Sequence, residues 1–116
     1  MKYLPFLAVQ QLTCRDYTVV LLETKELSQF FCSIYLDINL NCISTELINI
    51  CNFFKKNNSK AILAMDSNSH SPMWGCSSAN SRGELLEMFL IQNNLTILNE
   101  GSSPTLVSSR FKTVID

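Results

Sequence analysis

The chain has 116 residues, 47% of them hydrophobic and 16% charged, and its nine basic and ten acidic side chains leave a net charge of −1 with a pI near 5.7. That length fits one domain or part of one, and a chain of this size that closes its own core buries roughly two-thirds of its unfolded surface. The balance excludes a general electrostatic footprint for nucleic acid and a polybasic segment for an anionic membrane, so a polyanion has to be met by a local site or by other chain.

So few charges on so apolar a chain predict some apolar surface that expects a partner or further chain. The five cysteines, Cys14, Cys32, Cys42, Cys51 and Cys76, are an odd number without a CxxC pair, and His70 is the single histidine. A disulfide scaffold and a zinc site are both poorly supported, and a reducing compartment fits best. Asn57-Asn58-Ser59 and Asn94-Leu95-Thr96 match the glycosylation triplet, which matters only in a secreted protein.

Taken in order, the chain opens with Met1-Lys2-Tyr3-Leu4-Pro5-Phe6-Leu7-Ala8-Val9, which has the outline of a signal peptide. Its apolar stretch is short, is broken by Pro5 and runs into Gln10-Gln11 without a small-residue cleavage site, so it reads as a strand over residues 6–10. No apolar run approaches the ~20 residues a membrane-spanning helix needs. Tyr17-Thr18-Val19-Val20-Leu21-Leu22 and Phe30-Phe31-Cys32-Ser33-Ile34-Tyr35-Leu36 are rich in β-branched and aromatic residues and predict two strands. Residues 23–29 between them are few enough for a hairpin connection.

Ile43, Leu47, Ile50, Cys51 and Phe54 recur at helical spacing and form one apolar stripe. Ser44 is the expected N-cap, Lys55-Lys56 complements the dipole at the far end, and Asn57-Asn58 breaks the helix. Ala61-Ile62-Leu63-Ala64-Met65 has no polar alternation and predicts a strand covered on both faces, ending at Asp66. Residues 66–80 form a loop. Ser81-Arg82-Gly83-Glu84 predicts a capping box with Ser81 at the N-cap, opening a helix that buries Leu85, Met88 and Phe89 and stops near Asn93-Asn94. A short strand over residues 95–98, a turn over 101–104, a strand over 105–107 and a last strand beginning at Thr113 complete the order β-β-β-α-β-loop-α-β-β-β, a mixed α/β protein. A chain ending in mid-strand is expected to be less than a full domain.

Chemistry concentrates at the end of the apolar strand. Asp66 and Asn68 fall at its C-terminal edge, on one face if the strand continues through them. A carboxylate can accept a proton from water, and a neighbouring amide can donate to charge developing on a phosphate oxygen. On its own an Asp-x-Asn leaving a strand is more often a turn motif. A calcium loop is set aside, because Ser71 stands where its glycine is required and Ser77 where its bidentate glutamate belongs.

A longer pattern adds weight. Met65-Asp66-Ser67-Asn68-Ser69-His70 is followed by Trp74-Gly75, Asn80-Ser81-Arg82-Gly83, Leu85-Leu86, Leu98-Asn99, Pro104-Thr105-Leu106 and Val114-Ile115-Asp116, with Cys32-Ser33-Ile34-Tyr35-Leu36 upstream. Over residues 17–116 this order resembles the endonuclease/exonuclease/phosphatase superfamily, in the branch fused to reverse transcriptases in non-LTR retrotransposons. The resemblance implies a partial four-layer α/β/β/α sandwich and cleavage of DNA phosphodiesters with Mg²⁺ or Mn²⁺. It also implies the context of a retroelement polyprotein carrying reverse transcriptase, inside the cell, cytoplasmic or nuclear, with no membrane partner.

Residue by residue, it implies that Asp66 orients or deprotonates the attacking water, Asn68 stabilises the phosphoryl transition state and Tyr35 hydrogen-bonds the scissile phosphate. Asp116 matches the aspartate that partners the family's catalytic histidine. His70 and Arg82 match further family positions and stand as substrate-binding candidates. Plainer alternatives are Tyr35 as a strand aromatic, His70 as a loop residue bonded to backbone and Arg82 as a first-turn helix residue. Trp74 is expected to anchor the loop by packing.

The sequence also departs from the family. Met65 and Ser67 replace a glycine and a phenylalanine, and Asp37 replaces a proline. The strands bearing the family's metal-binding Asn and Glu, and the C-terminal Asp-His strand, have no counterpart, so the principal Mg²⁺ ligands are expected to be absent from this chain. The rival readings are a non-catalytic transposon remnant or packing module, and a phosphatase or phosphodiesterase acting on a small substrate. Trp74-Gly75 and Asn80-Ser81-Arg82-Gly83 favour the retroelement branch over the latter.

Overall fold

A computed structural model of the chain describes residues 6–99 and, by backbone alone, 111–115. The turn and strand expected over residues 101–107 and the site candidate Asp116 lie outside the described residues. Strands β1 (Phe6–Ala8), β2 (Tyr17–Glu23) and β3 (Ser28–Tyr35) form an antiparallel meander. Helix α1 (Thr45–Lys56) then crosses to β4 (Ala61–Asp66), which pairs parallel to β3. Helix α2 (Ser81–Gln92) leads to β5 (Thr96–Ile97), and β6 (Phe111–Ile115) lies parallel to both β4 and β5. The six-stranded sheet runs β1-β2-β3-β4-β6-β5. Among the described residues no helix is long and apolar enough to cross a membrane.

Both crossovers advance in the same direction along the sheet, so the preferred hand of such connections brings both helices to one face. Leu47, Ile50, Cys51 and Phe54 of α1 and Leu86, Phe89 and Leu90 of α2 join Val19, Cys32, Ile34, Leu63 and Met65 in a single core. A fully buried side chain of the Leu or Val type contributes about 1.5–3 kcal/mol. Phe30 packs against Phe53 and Phe54 at ring separations of 5.7 and 5.1 Å, fastening β3 to the end of α1. At the other end Ser44 accepts from the Leu47 N–H at 3.1 Å, as its N-cap position predicts, and its hydroxyl also meets the Tyr17 hydroxyl. The two Asn-Asn pairs have one physical explanation. Asn58 and Asn94 take left-handed backbone angles, φ 48° and 57°. The following N–H groups return to Phe54 and Leu90 carbonyls at 2.9 Å, closing both helices in Schellman turns.

Three expectations need correction. β4 is covered on one face only among the described residues: Ala61, Leu63 and Met65 are buried, Ile62 is half-buried, and Ala64 and Asp66 are exposed. The sheet with its single helical layer is thus one α/β half of a sandwich. The buried face of α2 is rotated from the expected one. Leu86 and Leu90 are 0% exposed, whereas Leu85 is 57% and Met88 56% exposed. Apolar residues surround this helix, so its phase is set by packing into the shared core, which Leu86, Phe89 and Leu90 join, rather than by its own pattern. The N-cap is Asn80 rather than Ser81: Asn80 Oδ1 accepts from the Gly83 N–H at 2.8 Å and from the His70 N–H at 3.1 Å.

Asn80→Ala therefore removes the acceptor of two backbone donors and should cost about 1–2 kcal/mol. Ser81→Ala, outside the cap, should stay within about 0.5 kcal/mol. Urea midpoints of the two variants check the assignment, and equal losses would refute it. A second expectation concerns alkali. Burial raises the Cys32 thiol pKa and pushes Cys51 from 9.0 up to about 12. A raised folded-state pKa gives stability that is complete below the unfolded value and is lost as pH climbs through the folded one. Stability should hold to about pH 8 and fall from pH 9 towards 12, a decline that Cys51→Ala should reduce in urea titrations at stepped pH.

Candidate active site

The parallel register of β3 and β4 ends on the pair Tyr35↔Asp66. Odd residues of β3 from Phe31 onward and even residues of β4 face away from the helices, so both side chains emerge on the uncovered face. There they line one open cleft of about 430 Å³ together with Arg15, Asp16, Thr18, Ser33 and Ala64. Tyr35 is 44% exposed and Asp66 is exposed as well. The cleft sits at the C-terminal edge of two parallel strands, where ligands of α/β sheets commonly bind.

Arg15 and Asp16 were not distinguished by sequence reasoning. The Arg15 guanidinium grips Asp16 through two bonds of 2.9 and 2.8 Å and reaches Asp37 at 3.5 Å. The hydrogen bond from Arg15 holds the Asp16 carboxyl below its usual range. The Asp16 carbonyl accepts from the Tyr35 N–H at 2.9 Å, completing the end of β3. A signal existed in the hairpin: Tyr17 pairs with Ile34, so the residue before Tyr17 falls opposite Tyr35. Arg15, Asp16 and Tyr35 also line a second hollow of about 290 Å³ that extends to Ser44 and Glu46 at the start of α1.

Asn68 is placed differently from Asp66. The strand ends at Asp66, so the alternation that would align the two does not continue, and Asn68 has φ 49°. Asparagine tolerates this region better than other non-glycine residues. Its Nδ2 donates to the Leu36 carbonyl at 3.0 Å, and Asn68 is not among the residues lining the cleft with Tyr35 and Asp66. The structure therefore brings Tyr35 and Asp66 together and tethers Asn68 to the residue after Tyr35.

Past the strand the chain keeps its serines inside. Ser67 and Ser71 are 0% exposed, and Ser69 is buried with its hydroxyl donating to Ser67 at 2.8 Å. The Ser71 hydroxyl donates to the Glu87 carboxylate of α2 and accepts from the Met73 N–H at 3.0 Å. Trp74 is buried, and its indole N–H donates to the Ser69 carbonyl at 3.2 Å, so it anchors the loop by packing as expected. Gly75, at φ 95°, closes the short 3₁₀ turn Pro72–Trp74. Met65 fills core space where the family has glycine, and buried Ser67 stands where it has phenylalanine.

Asn80-Ser81-Arg82-Gly83 binds this loop from below. The Asn80 N–H donates to the His70 carbonyl at 3.1 Å while its side chain accepts from the His70 N–H at the same distance. A Cβ at position 83 would lie 1.8 Å from the His70 carbonyl oxygen, so only glycine permits this approach. His70 is exposed. Arg82 points inward along the loops, donating to the carbonyls of Ser67, Leu40, Leu36 and Asp37 at 3.3, 2.7, 3.1 and 2.9 Å.

Among the described residues no group of three or more His, Cys, Asp or Glu side chains is arranged to hold a metal ion. The carboxylates that line the cleft are Asp66 and the Arg15-bound Asp16, which do not make a ligand set for a divalent cation. The described residues supply one exposed carboxylate beside a phenol, on a face open to solvent.

No curated protein matches the chain. Among solved structures it is similar to the "Endonuclease domain of TRAS1, a telomere-specific non-LTR retrotransposon", with a TM-score of 0.77 and 29% identity over 90% of this chain. That match spans 48% of the other chain, so these residues cover about half the length of the solved domain. The uncovered sheet face and single helical layer are in keeping with such a half. The model of the endonuclease-reverse transcriptase family matches residues 29–116, which include Tyr35, Asp66 and the whole Asn80-Ser81-Arg82-Gly83 segment. The chain belongs to the endonuclease-reverse transcriptase family.

Proposed function

We propose that this chain is part of a DNA endonuclease domain of a non-LTR retrotransposon, cleaving the phosphodiester from which reverse transcription is primed. The observation that carries the reading is the pairing of Tyr35 with Asp66 at the end of two parallel strands, both opening on one cleft. In that cleft the Asp66 carboxylate accepts a proton from, or orients, the attacking water, and the Tyr35 hydroxyl donates to the phosphate. Asn68, whose amide gives one N–H to the Leu36 carbonyl, keeps a second N–H that would donate to the charge developing on phosphorus-bound oxygen. By the family resemblance Asp116 is the partner of the catalytic histidine, and the exposed His70 is a substrate-binding candidate.

Mg²⁺ or Mn²⁺, which the family resemblance implies, would take its ligands from elsewhere in the domain, because the described carboxylates do not form a set for it. DNA affinity likewise draws on other parts of the polyprotein, since the chain carries a net charge of −1. An intracellular location, cytoplasmic or nuclear, accompanies this reading. A second reading, a non-catalytic remnant, is favoured by one observation: the Asn68 amide is turned onto the Leu36 carbonyl rather than into the cleft.

Nicking of supercoiled plasmid in Mg²⁺ or Mn²⁺ separates the two. Residues 1–116 alone should not nick, because general-base help is worth only about 10²–10⁴-fold, far short of what a phosphodiester demands. A polypeptide spanning the full length of the matched domain should nick, and Asp66→Ala in it should lose about 10²–10⁴-fold. Metal-dependent nicking by residues 1–116 that disappears in Asp66→Ala would show that the further ligands are dispensable. A full-length domain that binds DNA without nicking it would establish the remnant.

A further inference from the structure

We propose that Arg82 is a positioning residue for the site: its guanidinium clamps the Tyr35 loop to the Asp66–Asn68 loop and aims the Asn68 amide, without itself touching DNA. The proposal rests on the endonuclease reading above and concerns how the same site is held in shape.

Three guanidinium nitrogens of Arg82 donate to four main-chain carbonyls. A guanidinium has five N–H donors, so at most one is left for a ligand. The carbonyls come from two segments far apart in sequence. Ser67 lies between Asp66 and Asn68, while Leu36, Asp37 and Leu40 come just after Tyr35. Arg82 is therefore a strut between the two loops that carry the candidate groups, planted on the first turn of α2. That turn is itself fixed to His70 through Asn80 and Gly83.

The Leu36 carbonyl is the shared point. It accepts from Arg82 Nη2 at 3.1 Å and from Asn68 Nδ2 at 3.0 Å, while the Leu36 N–H donates to the Asp66 carbonyl at 2.8 Å. Moving Arg82 thus moves an acceptor of Asn68 and loosens the backbone tie at Asp66. Arg82 forms no ion pair with a carboxylate among the described residues, where Arg15 makes both ion pairs that occur. Its charge is met by carbonyl dipoles, and the planar fork is what spans them. Lysine keeps the charge but offers a compact ammonium that cannot reach four acceptors in two loops.

The test uses the full-length domain in plasmid nicking, with melting curves confirming that each variant is folded. Arg82→Lys should lower kcat about tenfold to a hundredfold, the range for misplaced reacting groups, with KM for DNA changed less than about threefold. In an Asn68→Ala background the same substitution should lower kcat by a smaller factor than in the unsubstituted domain, because part of its action passes through Asn68. The salt dependence of KM should be unchanged, since a lost phosphate contact would reduce its slope by about one. Arg82→Gln serves as the second variant if lysine destabilises the fold, and the same pattern is expected of it.

Full activity in Arg82→Lys, additive losses with Asn68→Ala, or a raised KM with a shallower salt slope would overturn the positioning role. Asp66→Ala is the control for the reading beneath it. Retained nicking in Asp66→Ala defeats the Asp66 site on which the proposal rests, and no nicking by the unsubstituted domain defeats the endonuclease reading, whereas loss in Asp66→Ala together with an indifferent Arg82→Lys defeats only the clamp.

Discussion

The parallel pairing of β3 with β4 fixes nearly everything that matters for the site. Parallel neighbours need a crossover, and α1 supplies it by packing Leu47, Ile50, Cys51 and Phe54 over the two strands. Register is set by burial, because a slip of one residue would carry Leu63 and Met65 out of the core and Ala64 and Asp66 into it. An unpaired carboxylate forced beneath two helices would be costly. Burial of Leu63 and Met65 together with the exposure that Asp66 requires thus selects the register in which Asp66 stands beside Tyr35 and both look away from the helices.

A different constraint governs the loop after Asp66. Residues 67–80 have little apolar content of their own, and they are held by polar contacts made inward. Ser67, Ser69 and Ser71 are buried and hydrogen-bonded, Trp74 adds the one large apolar anchor, and Asn80, Arg82 and Gly83 grip the chain from α2. A buried polar network of this kind is stable only when its groups are satisfied, and among the described residues no buried side-chain nitrogen or oxygen lacks a partner. The replacement of the family's phenylalanine by Ser67 fits such a polar interior.

Legibility in the sequence depended on local redundancy. For α1, stripe, cap and breaker all pointed to one answer, and Ser44 and Phe54 stand where the pattern requires. The end of β4 was equally clear, because the apolar run stops at a carboxylate. For α2 the pattern was degenerate: Leu85, Leu86, Met88, Phe89, Leu90 and Ile91 offer an apolar residue on every side, so phase came from the core beneath. Asn80 and Ser81 are both good caps by chemistry. The choice fell to Asn80 because its carboxamide reaches the His70 N–H as well as that of Gly83, a tertiary contact that no window of sequence encodes. Asn68 escaped for the same reason, since its left-handed backbone answers to the Leu36 carbonyl, 32 residues away in the chain.

The uncovered face of the sheet joins the fold to the chemistry. Beside the cleft lies an apolar trough of about 320 Å³ lined by Thr18, Val20, Phe31, Ser33, Ile62 and Ala64, and Thr18, Ser33 and Ala64 belong to both. Strand side chains of this kind in open water are an unfilled apolar surface, and a second layer of protein is the ordinary way to fill it. The same layer would also change the electrostatics at Asp66 and Tyr35. In bulk water a charge 4 Å from another is worth about 1 kcal/mol, and near a protein surface about 4 kcal/mol. Hydrogen bonds aimed at developing charge gain in the same direction once water is excluded. Covering the trough and sharpening the site are therefore one physical event, because the residues that need burial and the residues that need a dry neighbourhood share one face of the same two strands.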